Sequence, residues 1–177
     1  MGGVAKGALK APGSEQTLLE RLIGEVRAAL GSNIPLVLVG DATAYSSSRL
    51  PVIADDPAGI GPLGGLSGFL RHAHETGASH AIALACDLPR IEAALLLRLS
   101  REEPAAEALV AELRGVRNPL IARYEVARAQ PAVNGVMETG RRALQAVLDA
   151  LDARLLSLTP EEEQSLVDWD TPEDVAG

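Results

Sequence analysis

Apolar and polar positions along the chain follow two different periods. In Thr17–Leu30, TLLERLIGEVRAAL, residues Leu18, Leu19, Leu22, Val26 and Leu30 recur at helical spacing with charges opposite, which predicts an amphipathic helix. Pro35 then precedes LVLV, four consecutive apolar residues ended by Gly40-Asp41. Such a run fits a strand buried on both faces, and hence a parallel sheet. LPVIADD repeats the pattern in miniature, and His80–Cys86 repeats it in full, stopped by Asp87-Leu88-Pro89. Between these two, Pro62–Gly77 reads as a glycine-rich loop running into a helix, and a further helix is expected from about Ile91 to Leu99. Ala108–Leu113 and Leu120–Tyr124 predict two more strands with Arg114–Pro119 turning between them, as a hairpin or a paired insertion. Arg141–Leu151 is strongly periodic and predicts a helix, and Arg154–Leu158 a short strand after it. In the acidic tail, Thr171-Pro172-Glu173-Asp174 reads as a helix start: a threonine cap, proline at the first helical position, acids in the first turn. There is no internal repeat and no linker, so residues 1–177 are expected to form one domain. Strands alternating with helices, the strands uninterrupted in their apolar character, predict an α/β fold: an open, mostly parallel sheet with helices on both faces.

Composition narrows the function classes. With 47% hydrophobic and 23% charged residues the chain is ordinary globular material. Sixteen basic and twenty-four acidic residues give 16 − 24 = −8, a poor charge for coating a phosphate backbone, so no nucleic-acid partner is expected. The four aromatic residues, Phe69, Tyr45, Tyr124 and Trp169, offer no platform for base stacking. No apolar run reaches bilayer length and MGGVAKGALKAPG lacks a signal-peptide core, so the expected location is the cytoplasm, without membrane contact. The single cysteine, Cys86, reads as a buried thiol. Fourteen arginines stand against only two lysines, Lys6 and Lys10, both near the start.

Open parallel sheets bind ligands at the carboxyl ends of their strands. Here those ends carry Gly40-Asp41, Asp55-Asp56, Asp87, Asn118-Pro119 near the hairpin, and DWDTPED. A crevice lined by carboxylates repels an anion unless a hard cation stands between them, which is how magnesium sits beside phosphates. Gly2, Gly3 and Lys6 supply a glycine-rich segment whose backbone amides and ammonium suit phosphate, though without P-loop spacing. Gly61, Pro62, Leu63 and Gly64 lie in a stretch with five glycines among Gly59–Gly68. That stretch fits a ligand at a helix N-terminus, and equally a tight loop closed against the sheet. Asp87 should emerge facing the crevice, its alternative role being an N-cap. Asp55 and Asp56 are adjacent, so only one of them can face the crevice. The three histidines, His72, His74 and His80, lack metal-ligand spacing.

The succession MGGVAKG, TLLERL, LVLVG, VIADD, GPLGGL, ALACDLP, NPLIARY, GRRALQAVL, DWDTPED resembles the molybdenum cofactor guanylyltransferases, within the nucleotidyltransferase-A fold. The resemblance implies a three-layer, Rossmann-like fold and transfer of GMP from Mg-GTP to molybdopterin with release of pyrophosphate. It implies that Lys6 meets the nucleotide phosphates, that Asp87 holds Mg²⁺, and that Asp55 contacts the nucleotide. Gly2, Gly3, Gly40, Asp41 and the Gly61–Gly64 turn complete the expected nucleotide site, and molybdoenzymes or cofactor-synthesis proteins are the expected protein partners. Three departures stand out. The family's first strand and part of its glycine loop have no counterpart here, Ala5 replaces an aspartate, and Gly40-Asp41 replaces an asparagine-bearing turn. DWDTPED is closer to the related cytidylyltransferases, whereas GPLGGL favours the guanine enzyme, and the departures also suit a noncatalytic nucleotide-binding relative.

Overall fold

The computed structural model describes residues 7, 9–11, 14–45 and 48–166. Helix α1, Leu18–Leu30, starts where the sequence places it because Thr17 and Glu20 form a capping box. The Glu20 amide donates to Thr17 Oγ1 at 3.2 Å, and the Glu20 carboxylate accepts from the Thr17 amide at 2.8 Å. Strand β1, Leu38–Val39, pairs in parallel with β2, Val52–Ile53, and a short 3-10 turn, Ala42–Tyr45, lies between them. Among the described residues the LVLV run yields two paired positions, with β2 along one edge of β1.

Helix α2, Pro62–Glu75, leads into β3, His80–Leu84, and α3, Ala93–Arg101, follows. Strands β4, Ala108–Leu113, and β5, Val116–Glu125, form an antiparallel hairpin, as one of the two expected arrangements. Its turn is narrower than Arg114–Pro119. Arg114 and Gly115 alone make it, with φ of 52° and 78°, the two-residue geometry whose twist matches that of the strands. Asn118 and Pro119 therefore lie inside β5, next to a register shift between Val110 and Glu112, and not at a strand end.

Helix α4, Val126–Glu138, was not expected, since Pro131, Asn134 and Gly135 interrupt its pattern. Burial of Val126, Ala129, Val133 and Val136 along one stripe outweighs those breakers. The expected helix at Arg141–Leu151 contracts to α5, Gln145–Asp149, because Arg141, Arg142 and Ala143 are exposed and give its first turn nothing to bury. Strand β6, Ala153–Leu156, and α6, Pro160–Ser165, complete the described chain. The Thr171–Asp174 helix start lies outside the described residues.

The strands fall in two groups, β2-β1 and β3-β5-β4-β6. β6 is parallel to β4, and β5 runs against both β3 and β4, so β5 alone is reversed within its group. α2 packs on β1, β2 and β3. It connects β2 to β3 along the chain. Two cores cover the faces. One gathers Leu66 and Leu70 of α2 with Val133 of α4 and Tyr124 of β5, and the other gathers Val26 of α1 with Leu95 and Leu99 of α3 and Leu109 of β4. No helix among the described residues is long and apolar enough to cross a membrane.

Candidate active site

A cavity of about 1100 Å³ is lined by residues at or just past the carboxyl ends of β1, β2 and β3, among them Val39, Asp55, Cys86 and Asp87, and by Tyr45. Asp55 and Asp87, both expected from the strand-end rule, line the same cavity. Asp56 takes the other side of the chain and pairs with Arg71 of α2. Adjacent positions in extended backbone account for that division of labour.

The glycine-rich stretch divides differently from the sequence reading. Gly59 and Gly61, at φ of 79° and 77°, form the turn, while Gly64, Gly65 and Gly68 already belong to α2. A side chain at Gly64 would run into the Pro57 carbonyl, and one at Gly68 would stand 2.7 Å from the Ala54 carbonyl oxygen. These two glycines let α2 lie against the loop after β2, which is the closed-loop alternative. Gly65 differs, because its Cβ position is 3.3 Å from Asp55 Oδ1 and both residues line the cavity. Pro62 is exposed at the first turn of α2, and the Leu63 side chain is wholly buried in the core, leaving only its backbone toward the loop.

Gly40 adopts φ of 122° at the end of β1, a left-handed conformation that explains glycine there. The Asp41 carboxylate accepts from the Thr43 amide at 2.8 Å and from the Thr43 hydroxyl at 2.7 Å, capping the 3-10 turn. Those bonds hold its carboxyl below the ordinary aspartate range. Lys6, Gly2 and Gly3 lie outside the described residues. Gly7, next to Lys6, is buried, and its Cβ position is 3.2 Å from Cys86 Cβ and 3.4 Å from Tyr45 Cε1. Gly7 thus packs against the residue two positions past the end of β3.

Tyr45 escaped the sequence reading, and its only signal was scarcity, as one of four aromatic residues. Its hydroxyl donates to the Cys86 sulfur. Burial, with smaller contributions from Cys86 and Asp87, pushes the phenol up to about 12. Cys86 is half-buried, and burial raises its thiol as well, so it is a poor nucleophile at neutral pH. Arg123 is buried against α3, while Arg141 and Arg142 are exposed after α4. His74 and His80 are exposed and His72 lies along α2.

Among the described residues no three His, Cys, Asp or Glu side chains gather as a metal cage. Two carboxylates at one crevice nonetheless suit magnesium, which takes one or two from the protein and leaves its other positions to water and phosphate.

The MobA-like NTP transferase domain family matches residues 1–155. A "probable molybdenum cofactor guanylyltransferase" of Opitutus terrae is 31% identical over 164 residues, 90% of this chain and 80% of that protein. A protein of the same name from Mycobacterium tuberculosis is 31% identical over 153 residues, 85% of this chain and 74% of that one. Among solved structures, molybdopterin-guanine dinucleotide biosynthesis protein A from Archaeoglobus fulgidus superposes with a TM-score of 0.74 at 21% identity, covering 99% and 92% of the two chains. The 2-C-methyl-D-erythritol 4-phosphate cytidylyltransferase of Thermus thermophilus superposes at 0.70 with 14% identity, over 98% and 92%. Both structures share the fold.

Proposed function

The chain belongs to the MobA-like NTP transferase family and is a nucleotidyltransferase of that type, and from this premise we propose that it transfers GMP from GTP to molybdopterin. The observation that supports the reading is that Asp55 and Asp87 line one cavity together with Tyr45 and Cys86, the two residues against which Gly7 packs. In the proposed reaction a phosphate oxygen of molybdopterin attacks the α-phosphorus of GTP. A new P–O bond forms, the bond to the β-phosphate bridging oxygen breaks, and pyrophosphate leaves with that electron pair. No covalent intermediate on the protein is required.

Asp87 holds the metal in this scheme, with Asp55 on the nucleotide side. Mg²⁺ would draw negative charge from the triphosphate. Lys6 offsets charge on the departing pyrophosphate in this scheme. Gly2, Gly3, Gly40, Asp41 and the turn Gly61, Pro62, Leu63 and Gly64 border the nucleotide, the last four through backbone at the start of α2. Residues 1–177 act as one domain, in the cytoplasm.

Calorimetric titration of the 177-residue chain with GTP and with CTP, each with and without Mg²⁺, tests the reading. Selective magnesium-dependent GTP binding is expected. A preference for CTP would assign the cytidylyl reaction instead, and binding of neither nucleotide by the folded chain would overturn the proposal.

A further inference from the structure

Tyr45 and Cys86 come from different groups of strands. Tyr45 closes the 3-10 turn that follows β1, whose strand partner among the described residues is β2, while Cys86 lies two positions past β3. The two side chains meet, since a Cβ at Gly7 would stand 3.2 Å from Cys86 Cβ and 3.4 Å from Tyr45 Cε1, and both residues line the cavity. The phenol hydroxyl donates to the sulfur. A phenylalanine would fill the same space, so packing accounts for the ring alone. A sulfur is a weak acceptor, and a hydroxyl held on it fixes a direction more than it adds stability.

Cys86 and Asp87 form a turn directly after Ala85. The chain is anchored on either side of that turn. The Ala85 amide donates to the Leu120 carbonyl of β5 at 2.8 Å, and Leu88 and Ile91, 2% and 0% exposed, are buried in the core gathered by α1 and α3. Between those anchors the Cys86–Asp87 peptide can still rotate, as the central peptide of a turn does between turn types, and its rotation swings the carboxylate. A bond that fixes the Cys86 side chain restrains it. We propose that Tyr45 is a positioning residue for Asp87: its hydroxyl, acting through Cys86 Sγ, sets the direction in which the Asp87 carboxylate is presented to a divalent cation. The role rests on the assignment of Asp87 to magnesium in the reaction proposed above. Magnesium demands near-octahedral geometry whereas calcium tolerates a flexible one, so a misdirected carboxylate weakens the smaller ion more.

Calorimetric titration of the 177-residue chain with GTP at stepped Mg²⁺ concentrations, together with the rate of GMP transfer, tests the role. Tyr45→Phe should need at least about tenfold more Mg²⁺ for half-maximal GTP binding, the scale of one lost hydrogen bond, with an unchanged circular dichroism spectrum. Binding supported by Ca²⁺ should weaken less. Saturating Mg²⁺ should restore transfer, which a variant that merely lost folded protein would not show. Cys86→Ala should reproduce the shift, and Cys86→Ser, which keeps an acceptor, should stay close to the parent. The double variant Tyr45→Phe/Cys86→Ala should match either single change within about twofold, because both remove one bond. The single cysteine gives one S–H stretching band in the infrared, and Tyr45→Phe should shift it with neither nucleotide nor metal present. An unshifted band, an unchanged Mg²⁺ requirement in Tyr45→Phe, or losses that multiply in the double variant would each overturn the positioning role. A parent chain without magnesium-dependent GTP binding would overturn the proposed reaction and this role with it, a result read on the parent alone.

Discussion

Arg123 reaches from β5 to the end of α3, where its Nη1 donates to the Leu99 carbonyl at 3.1 Å. The same nitrogen donates to the Glu102 carbonyl at 2.9 Å, and Nη2 donates to that of Glu103 at 2.6 Å. The last carbonyls of a helix have no intrahelical donors, and a cation is favourable at that end. Because the residue is only 3% exposed, Arg123→Leu leaves these carbonyls without a donor in the protein interior. A loss of about 2–4 kcal/mol of stability is expected. Urea denaturation with an unchanged slope would register it, and a variant as stable as the parent would refute the capping role.

The glycines of α1 and α2 should respond to alanine in opposite directions. Gly68 has the Ala54 carbonyl oxygen 2.7 Å from its Cβ position, so Gly68→Ala forces α2 away from β2, at a cost of about 1–3 kcal/mol. Gly24 lies in the interior of α1 with nothing within 4 Å, and Gly24→Ala should stabilise by about 0.5–1 kcal/mol. Melting temperatures that fall for the first and rise for the second are expected; shifts of the same sign would show that the contact at Ala54 does not set the helix position.

Much of the fold was legible because its signals are local. The capping threonine of α1, the apolar run of β3 and the carboxylates ending β2 and β3 each depend on residues close in sequence. What escaped depends on tertiary context. α4 forms across Pro131 because a stripe of four residues is buried on the sheet, and burial is invisible to propensity. β5 extends back to Val116 because Arg114 tolerates a positive φ beside Gly115, a position that composition assigns to glycine or asparagine. That Asp55 and Asp87 line the cavity could be anticipated from strand ends. The role of Gly64 and Gly68 in packing α2 could not, since a ligand-binding glycine and a packing glycine look alike in sequence.

The capping box of α1 should give the chain a small acid dependence of known sign. Hydrogen bonds from the Thr17 backbone and hydroxyl lower the Glu20 carboxyl below its usual value of 4.5. A folded-state value below the unfolded one means that the contribution is present above the ordinary glutamate range and is lost as pH falls through the folded value. Glu20→Gln should therefore flatten the acid limb of the stability profile without changing its neutral shape. Denaturation midpoints measured across the acidic range test this, and identical limbs for the two proteins would contradict it.

Asp87 and Asp56 are both aspartates that follow strands, and the structure separates their roles. Asp87 lines the cavity, as Asp55 does, whereas Asp56 pairs with Arg71 of α2. Asp87→Asn preserves size and keeps a polar group in place, so its circular dichroism should match the parent. It removes the charge assigned to the metal, and a fall in magnesium-dependent nucleotidyl transfer of about 10²–10³-fold is expected, the scale of lost charge stabilisation at a transferring phosphoryl group. Asp56→Asn breaks an ion pair whose partners are both well exposed, an interaction of about 0–1 kcal/mol, and transfer should stay close to the parent rate. If Asp56→Asn abolished transfer while Asp87→Asn did not, the crevice would lie on the Arg71 side of the loop, and the assignment of the two carboxylates would be reversed.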